Sequence, residues 1–71
     1  MSTPLSHVKR SILEDLWNSD SDKFDELVTE IKASIAENGY VTIEDDYYSE
    51  EQTFTTNIKF VDWLKEKFYK Q

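Results

Sequence analysis

The chain of 71 residues carries fifteen acidic and eight basic side chains, which give it a formal net charge of −7 at neutral pH. A chain this short buries only roughly 60% of the surface that it exposes when unfolded, so two-domain enzymes and barrels are excluded and we expect one small acidic domain over residues 1–71. The absence of cysteine excludes disulfide frameworks, Cys-ligated zinc and thiol catalysis, and it favours a reducing, cytoplasmic compartment.

The first predicted helix covers about Pro4–Trp17. Proline suits the first position of a helix, because the backbone N–H that it lacks would have no partner there. The apolar residues that follow recur at helical spacing: Leu5, Val8, Ile12, Leu13, Leu16 and Trp17. On this helix His7 would lie on the polar side.

The second predicted helix covers about residues 22–38. Its apolar residues form a tight stripe at helical spacing: Phe24, Leu27, Val28, Ile31 and Ile35. Ser19 followed three residues later by Asp22 resembles a capping box. Gly39 stands where a left-handed residue commonly ends a helix.

Extended chain is predicted after Gly39. Tyr40–Glu44 alternates between apolar and polar residues and is rich in β-formers, so we predict a strand with Val41 and Ile43 toward the core. Residues 52–56 would supply its antiparallel partner. The alternative is a helical turn, because Ser49-Glu50-Glu51-Gln52 also fits a capping box. The sequence favours the hairpin and leaves the turn open.

The third predicted helix runs from about Asn57 to Tyr69, with a core stripe of Val61, Leu64 and Phe68. Phe60 and Trp63 would lie beside that stripe, on a basic face with Lys59, Lys67 and Lys70. Phe60, Trp63 and Lys67 are therefore candidates for self-association. The predicted fold is an α+β domain of order α-α-β-β-α, with a short antiparallel hairpin on a helical layer.

Acidic side chains are concentrated in the middle of the chain. Residues 14–51 hold thirteen of them against only two lysines, a net charge of −11. We expect helix 2 and the hairpin to join them into one continuous negative face that suits a basic partner protein. The solvated surface of a soluble protein is the alternative. The candidate residues are Asp22, Glu26, Glu30, Glu37, Glu44, Asp45, Asp46, Glu50 and Glu51.

Catalytic and metal chemistry find little support in the sequence. Asn18, Asp20 and Asp22 have the spacing that opens a calcium-binding EF-hand loop, but the pattern fails at Lys23, where glycine is required, and at Thr29, where glutamate is required. The single histidine excludes multi-histidine metal sites and most catalytic triads. We therefore expect no enzymatic activity, no cofactor and no metal site. The negative charge also argues against direct binding to nucleic acid or to anionic membranes.

In size and charge the chain is similar to the small acidic inhibitors that phages make against host nucleic-acid enzymes, some of which present carboxylates where DNA presents phosphates. That resemblance implies a cytoplasmic inhibitor or binding protein of the DNA-mimic kind whose acidic face occupies a basic site on a partner. The alternative function is that of an oligomeric structural or accessory protein, a homodimer for example, which uses the aromatic face of its C-terminal helix.

Overall fold

The computed structural model describes residues 5–69. In chain order they form β1 (His7–Lys9), α1 (Arg10–Ser19), α2 (Ser21–Asn38), β2 (Val41–Asp45), β3 (Glu50–Phe54) and α3 (Asn57–Leu64), which continues into a π-helical segment (Lys65–Tyr69). The described residues make one mixed α+β domain of three helices and a three-stranded sheet. The predicted order agrees with this arrangement except that a short strand precedes it.

The sheet has the order β1-β2-β3, with β1 parallel and β3 antiparallel to β2. Side chains alternate between its two faces. The helices cover one face, whose buried residues are Val8, Val41, Ile43 and Phe54. The other face, which we call the open face, is polar and carries His7, Lys9, Thr42, Glu44, Glu51 and Thr53.

The predicted first helix is wrong at its beginning, because residues 7–9 form β1 and the helix starts only at Arg10. Backbone groups of this segment bond to distant parts of the chain: the Leu5 N–H donates to the Ser34 Oγ at 2.9 Å, and the Thr42 N–H donates to the Ser6 carbonyl at 2.9 Å. These tertiary bonds hold the segment extended. Pro4, the predicted helix start, lies outside the described residues.

Because the first helix begins later than predicted, a different side of it faces the core. Ile12, expected in the core, is 48% exposed. Leu13 is fully buried instead, and Leu16 packs against the core from a half-buried position. Val8 reaches the core as expected, but from a strand rather than from a helix.

The second helix is confirmed, and its buried residues include four of the five predicted ones. Its cap is one residue away from the prediction: Asp20 accepts a hydrogen bond from the Lys23 N–H at 3.2 Å, whereas the Ser19 hydroxyl donates to the Asp15 carbonyl at 2.6 Å. At the other end Gly39 has a φ of 90°. Its N–H donates to the Ile35 carbonyl at 2.8 Å, so the left-handed helix end is confirmed.

The hairpin is also confirmed, but its second strand is Glu50–Phe54 rather than residues 52–56. The alternative helical turn at residues 49–52 is wrong. Residues 46–49 connect β2 to β3. The Tyr47 N–H donates to a carboxylate oxygen of Asp45 at 3.2 Å, the local bond by which aspartate commonly starts a turn. Ser49 has a positive φ of 54° and completes the reversal of the chain.

The placement of Phe60 and Trp63 outside the core is wrong. Phe60 is fully buried and Trp63 is 7% exposed, whereas Val61 is only half-buried. The cause is the π-helical segment after Leu64. A π-helix bonds residue i to residue i+5 and so contains more residues per turn than an α-helix, and the wider turn keeps Phe68 on the side of Phe60 and Trp63.

Seven aromatic rings form a continuous series of contacts, which we call the aromatic row; five are buried, and those of Trp17 and Tyr69 are partly exposed. Its ring centroids are 5.1 to 6.3 Å apart, within the range of favourable aromatic pairs. It begins on β3 and reaches α1 through α3, the π-helical segment and α2. Its members are Phe54, Phe60, Trp63, Phe68, Phe24, Trp17 and Tyr69.

Phe60→Ala should abolish the folded state. Truncation of a buried phenylalanine costs about 3–5 kcal/mol, which is as large as the free energy of unfolding of about 3–5 kcal/mol that a core of this size supplies. Urea denaturation followed by tryptophan fluorescence measures the effect. The matched control is Ile58→Ala on the same helix, where the side chain is 76% exposed and the change should stay within about 0.5 kcal/mol. Equal urea midpoints for the two variants would contradict the burial of Phe60.

Candidate functional site

The acidic residues of α2 share one exposed side of the helix. Asp22, Glu26, Glu30 and Glu37 are all exposed. They lie on the side opposite the buried residues Phe24, Val28, Ile31 and Ile35. We call these four acidic residues the acidic ridge. Because α2 packs its buried side against the sheet and the other helices, the ridge faces away from the sheet.

Three of the ridge residues are evenly spaced, and no basic side chain of the described residues neutralises the ridge by an ion pair. Asp22, Glu26 and Glu30 follow one another at intervals of four residues, a rise of about 6 Å per step, and the whole ridge extends over about 22 Å. Within residues 5–69, no ion pair involves any of its four members. Like charges at this spacing destabilise a helix by a few tenths of a kcal/mol per pair, about as much as opposite charges would stabilise it.

Asp45, in contrast, forms an ion pair within the fold. Its carboxylate accepts a hydrogen bond from the Arg10 guanidinium at 2.7 Å, and both side chains are mostly buried, at 15% and 12% exposure. The Tyr47 ring covers the guanidinium, 5.5 Å from ring centroid to the Arg10 Cζ. Removing one partner of such a pair leaves a poorly hydrated charge behind. Asp45 therefore anchors the hairpin to the start of α1 and is not available to a partner.

Asp46 also has a structural role. Its carboxylate accepts a hydrogen bond from the Ser11 N–H at 3.2 Å, in the first turn of α1. No side chain of the adjoining segment caps this helix, so the cap comes from the hairpin loop. A hydrogen bond from the Ser11 side chain is the largest influence that lowers the pKa of the Asp46 carboxyl below its usual 3.8, and the Ser11 N–H bond and the charge of Lys9 act in the same direction. The carboxylate also suits the positive end of the helix dipole.

The open face holds the remaining charged cluster. Glu44 and Glu51 are directly opposite each other on β2 and β3, and the His7 Nε2 lies 3.2 Å from the Glu44 Oε1. His7 was predicted on the polar side of a helix; it is exposed, but it belongs to β1. Glu50 pairs with Asp45 and therefore points to the other side of the sheet, at the exposed rim beside α3.

The continuous acidic face that we expected is divided in two. The ridge lies on the outer side of the helical layer, whereas Glu44 and Glu51 lie on the open face of the sheet. A whole layer of helices and the sheet itself separate these surfaces. The sequence could not show this, because which side a hairpin residue faces depends on the strand register.

The calcium-like pattern has a structural explanation as well. The Asn18 amide donates to the Glu14 carbonyl at 3.0 Å within α1, and Asp20 caps α2. These residues therefore end one helix and begin the next. The Tyr47 hydroxyl lies beside α1, near Glu14. Loss of hydration, followed by the nearby Glu14 carboxylate, raises the pKa of the Tyr47 hydroxyl.

The expected aromatic surface on the C-terminal helix is not available as a contact. Phe60 and Trp63 are in the core, and Lys67 is half-buried with an interaction of its own. Lys70, the last member of the predicted basic face, lies outside the described residues. The self-association surface proposed from the sequence therefore loses the rings on which it depended.

Comparisons with known protein families, with curated proteins and with solved structures find no match. Within residues 5–69, no helix combines the length and the apolar character that a membrane crossing requires.

Asp46→Asn should make the free energy of unfolding depend less on pH below about pH 4. The folded pKa of Asp46 lies below the unfolded value, so its contribution to the free energy of unfolding is present above about pH 4 and is lost as the pH falls through the folded pKa. The variant should be less stable than the wild type at pH 7, and the difference should shrink below pH 4. Urea denaturation at pH 7, 5, 4 and 3 measures this. A constant difference at all four pH values would contradict the charged cap.

Proposed function

We propose that this chain is a non-enzymatic binding protein that uses the acidic ridge of α2 to occupy a basic site on a partner protein. The observation that carries the proposal is that some of the predicted acidic residues make contacts within the fold, whereas those of the ridge form no ion pair within residues 5–69. Asp45 and Asp46 are used to build the fold, and Glu44 is paired with His7. The four members of the ridge are exposed on one side of a helix, and no ion pair within residues 5–69 involves them.

The ridge stands on a rigid support. α2 is the longest helix of the domain, with 18 residues, and its buried side is fixed by the core. Ser34 adds a polar anchor on that side: its hydroxyl accepts a bond from the Leu5 N–H and donates to the Glu30 carbonyl. The backbone of such a helix is already ordered, so binding has to order only the side chains of the ridge, which favours affinity. Their negative field would also steer a basic partner toward the ridge.

The proposed binding site on the partner protein is one that normally holds the phosphates of a nucleic acid. Lysine and arginine side chains along a nucleic-acid-binding groove meet negative charges at regular intervals. Three ridge carboxylates, those of Asp22, Glu26 and Glu30, stand at a regular rise of about 6 Å along the helix, and that of Glu37 follows about 10 Å further on. This regularity supports a nucleic-acid-binding protein as the partner and inhibition by occupation of its groove as the consequence. The oligomeric alternative has no comparable support, because Phe60 and Trp63 are buried.

Charge reversal of the ridge tests the proposal. The partner is first captured from cells of the source organism on immobilised protein and eluted with a salt gradient. Glu26→Lys with Glu30→Lys should then reduce the association rate with that partner roughly tenfold or more at low salt, the scale of electrostatic steering. Both positions are exposed and opposite the core, so the melting temperature should be unchanged or slightly higher as like-charge repulsion is relieved.

The C-terminal helix supplies a matched control. Asp62→Lys with Glu66→Lys changes the net charge by the same amount at two exposed positions four residues apart, away from the ridge. If the ridge is the interface, this control should retain most of the wild-type rate. Equal losses in the two double variants would show attraction by net charge alone, and an unchanged rate in the folded ridge variant would contradict the proposal.

A further inference from the structure

Three side chains from three different strands meet on the open face of the sheet. His7 comes from β1, Glu44 from β2 and Glu51 from β3. One ligand atom of each, an imidazole nitrogen or a carboxylate oxygen, lies within 4.8 Å of the other two. These are side chains that commonly bind metal ions, and the sequence separates them so widely that no motif connects them.

The strand register explains how they come together. Glu44 and Glu51 are direct cross-strand partners, and His7 pairs with Thr42, one row further along the same face. His7 is thus diagonal to Glu44 and reaches it, with 3.2 Å between the Nε2 and Oε1 atoms. In the row of His7, the Thr42 and Thr53 hydroxyls are 2.9 Å apart. The site therefore lies on a polar surface with regular strand pairing beneath it.

Without a cation this arrangement is electrostatically unfavourable. Like charges directly opposite each other on an antiparallel pair destabilise the sheet, and Glu44 and Glu51 occupy such positions. Lys9, the partner of Glu44 in β1, is the nearest basic position in that row, and it would weaken the binding of a cation to some extent. An ion held between the two carboxylates would remove their mutual repulsion.

We propose that His7, Glu44 and Glu51 bind one divalent transition-metal ion, with Zn²⁺ as the best fit. Zinc accepts imidazole nitrogen and carboxylate oxygen at about 2.0–2.2 Å, and in a tetrahedral site this places neighbouring ligand atoms about 3.3 Å apart. The pair of His7 and Glu44 already has this separation. Glu51 is exposed and its ligand atom lies within 4.8 Å of the other two, so its side chain would complete the set, with water in the fourth position.

The ligand set also determines which ions are excluded. Mg²⁺ and Ca²⁺ prefer oxygen ligands only, and they need more of them than this site supplies. The bound ion would join all three strands and would fasten β1, which has only three residues, to the hairpin. The site lies on the side of the domain opposite the acidic ridge, so the two proposals can fail independently. It departs from the sequence analysis, which assigned no metal site.

Calorimetric titration of the full chain with ZnCl₂ at pH 7.5 tests the site. We expect one ion per chain, no displacement by equimolar Mg²⁺, and about tenfold or greater weakening in both His7→Gln and Glu51→Gln. Glu50→Gln is the matched control: it removes the same charge from the neighbouring residue of β3, on the other side of the sheet, and should bind like the wild type. Circular dichroism verifies that each variant is folded.

Two further readouts locate the ion and its effect. His7 is the only histidine, so its imidazole NMR signals report binding without ambiguity and should shift until one equivalent is added. A hundredfold excess of Zn²⁺ over its dissociation constant should raise the melting temperature by roughly 10–20 °C. Unchanged affinity in His7→Gln and Glu51→Gln, equal weakening in Glu50→Gln, displacement by Mg²⁺, or an unshifted imidazole would each overturn the proposal.

Discussion

The fold depends on the contact between aromatic rings that joins the sheet to the helices. β3 contributes one buried residue, Phe54, and its other side chains are exposed. The ring of Phe54 packs on Phe60 and Trp63, and through them on Phe68 and the rings of α1 and α2. In a chain this small, large side chains are the most effective way to bury apolar area. A single series of rings thereby holds elements from both ends of the chain.

The parts of the fold that the sequence predicted are those that rest on local chemistry. α2 has a regular apolar stripe, a capping side chain just before its first turn, one residue from the predicted one, and a glycine at its end, and each of these acts within a few residues. The hairpin similarly follows from β-formers on both sides of a polar turn. The predictions that failed concern segments whose conformation depends on residues far away in the sequence. β1 is extended because its backbone pairs with β2, and the helical spacing of Leu5, Val8 and Ile12 gave no sign of this.

The charged residues of the sequence could likewise not show which carboxylates remain available to a partner. The acidic residues on α2 lie on the exposed side where the helical period put them. The sequence could not show that Arg10 would neutralise Asp45 or that Asp46 would cap α1, because both contacts cross from the hairpin to the first helix. The result is a domain with two chemically different surfaces: a row of carboxylates on a helix, and a mixed cluster of imidazole and carboxylates on a sheet.

The parallel pairing of β1 with β2 has a consequence for the order of folding. α1 and α2 are adjacent in sequence and so are β2 and β3, so each pair forms from local contacts, which are fast to make. β1 joins the sheet only after the chain has passed through both helices, and the entropy of closing that long loop must be offset before its pairing contributes stability. With three residues it offers few bonds in return. We therefore expect the N-terminal strand to be the last element to dock and the first to detach, while the helical pair and the hairpin remain formed.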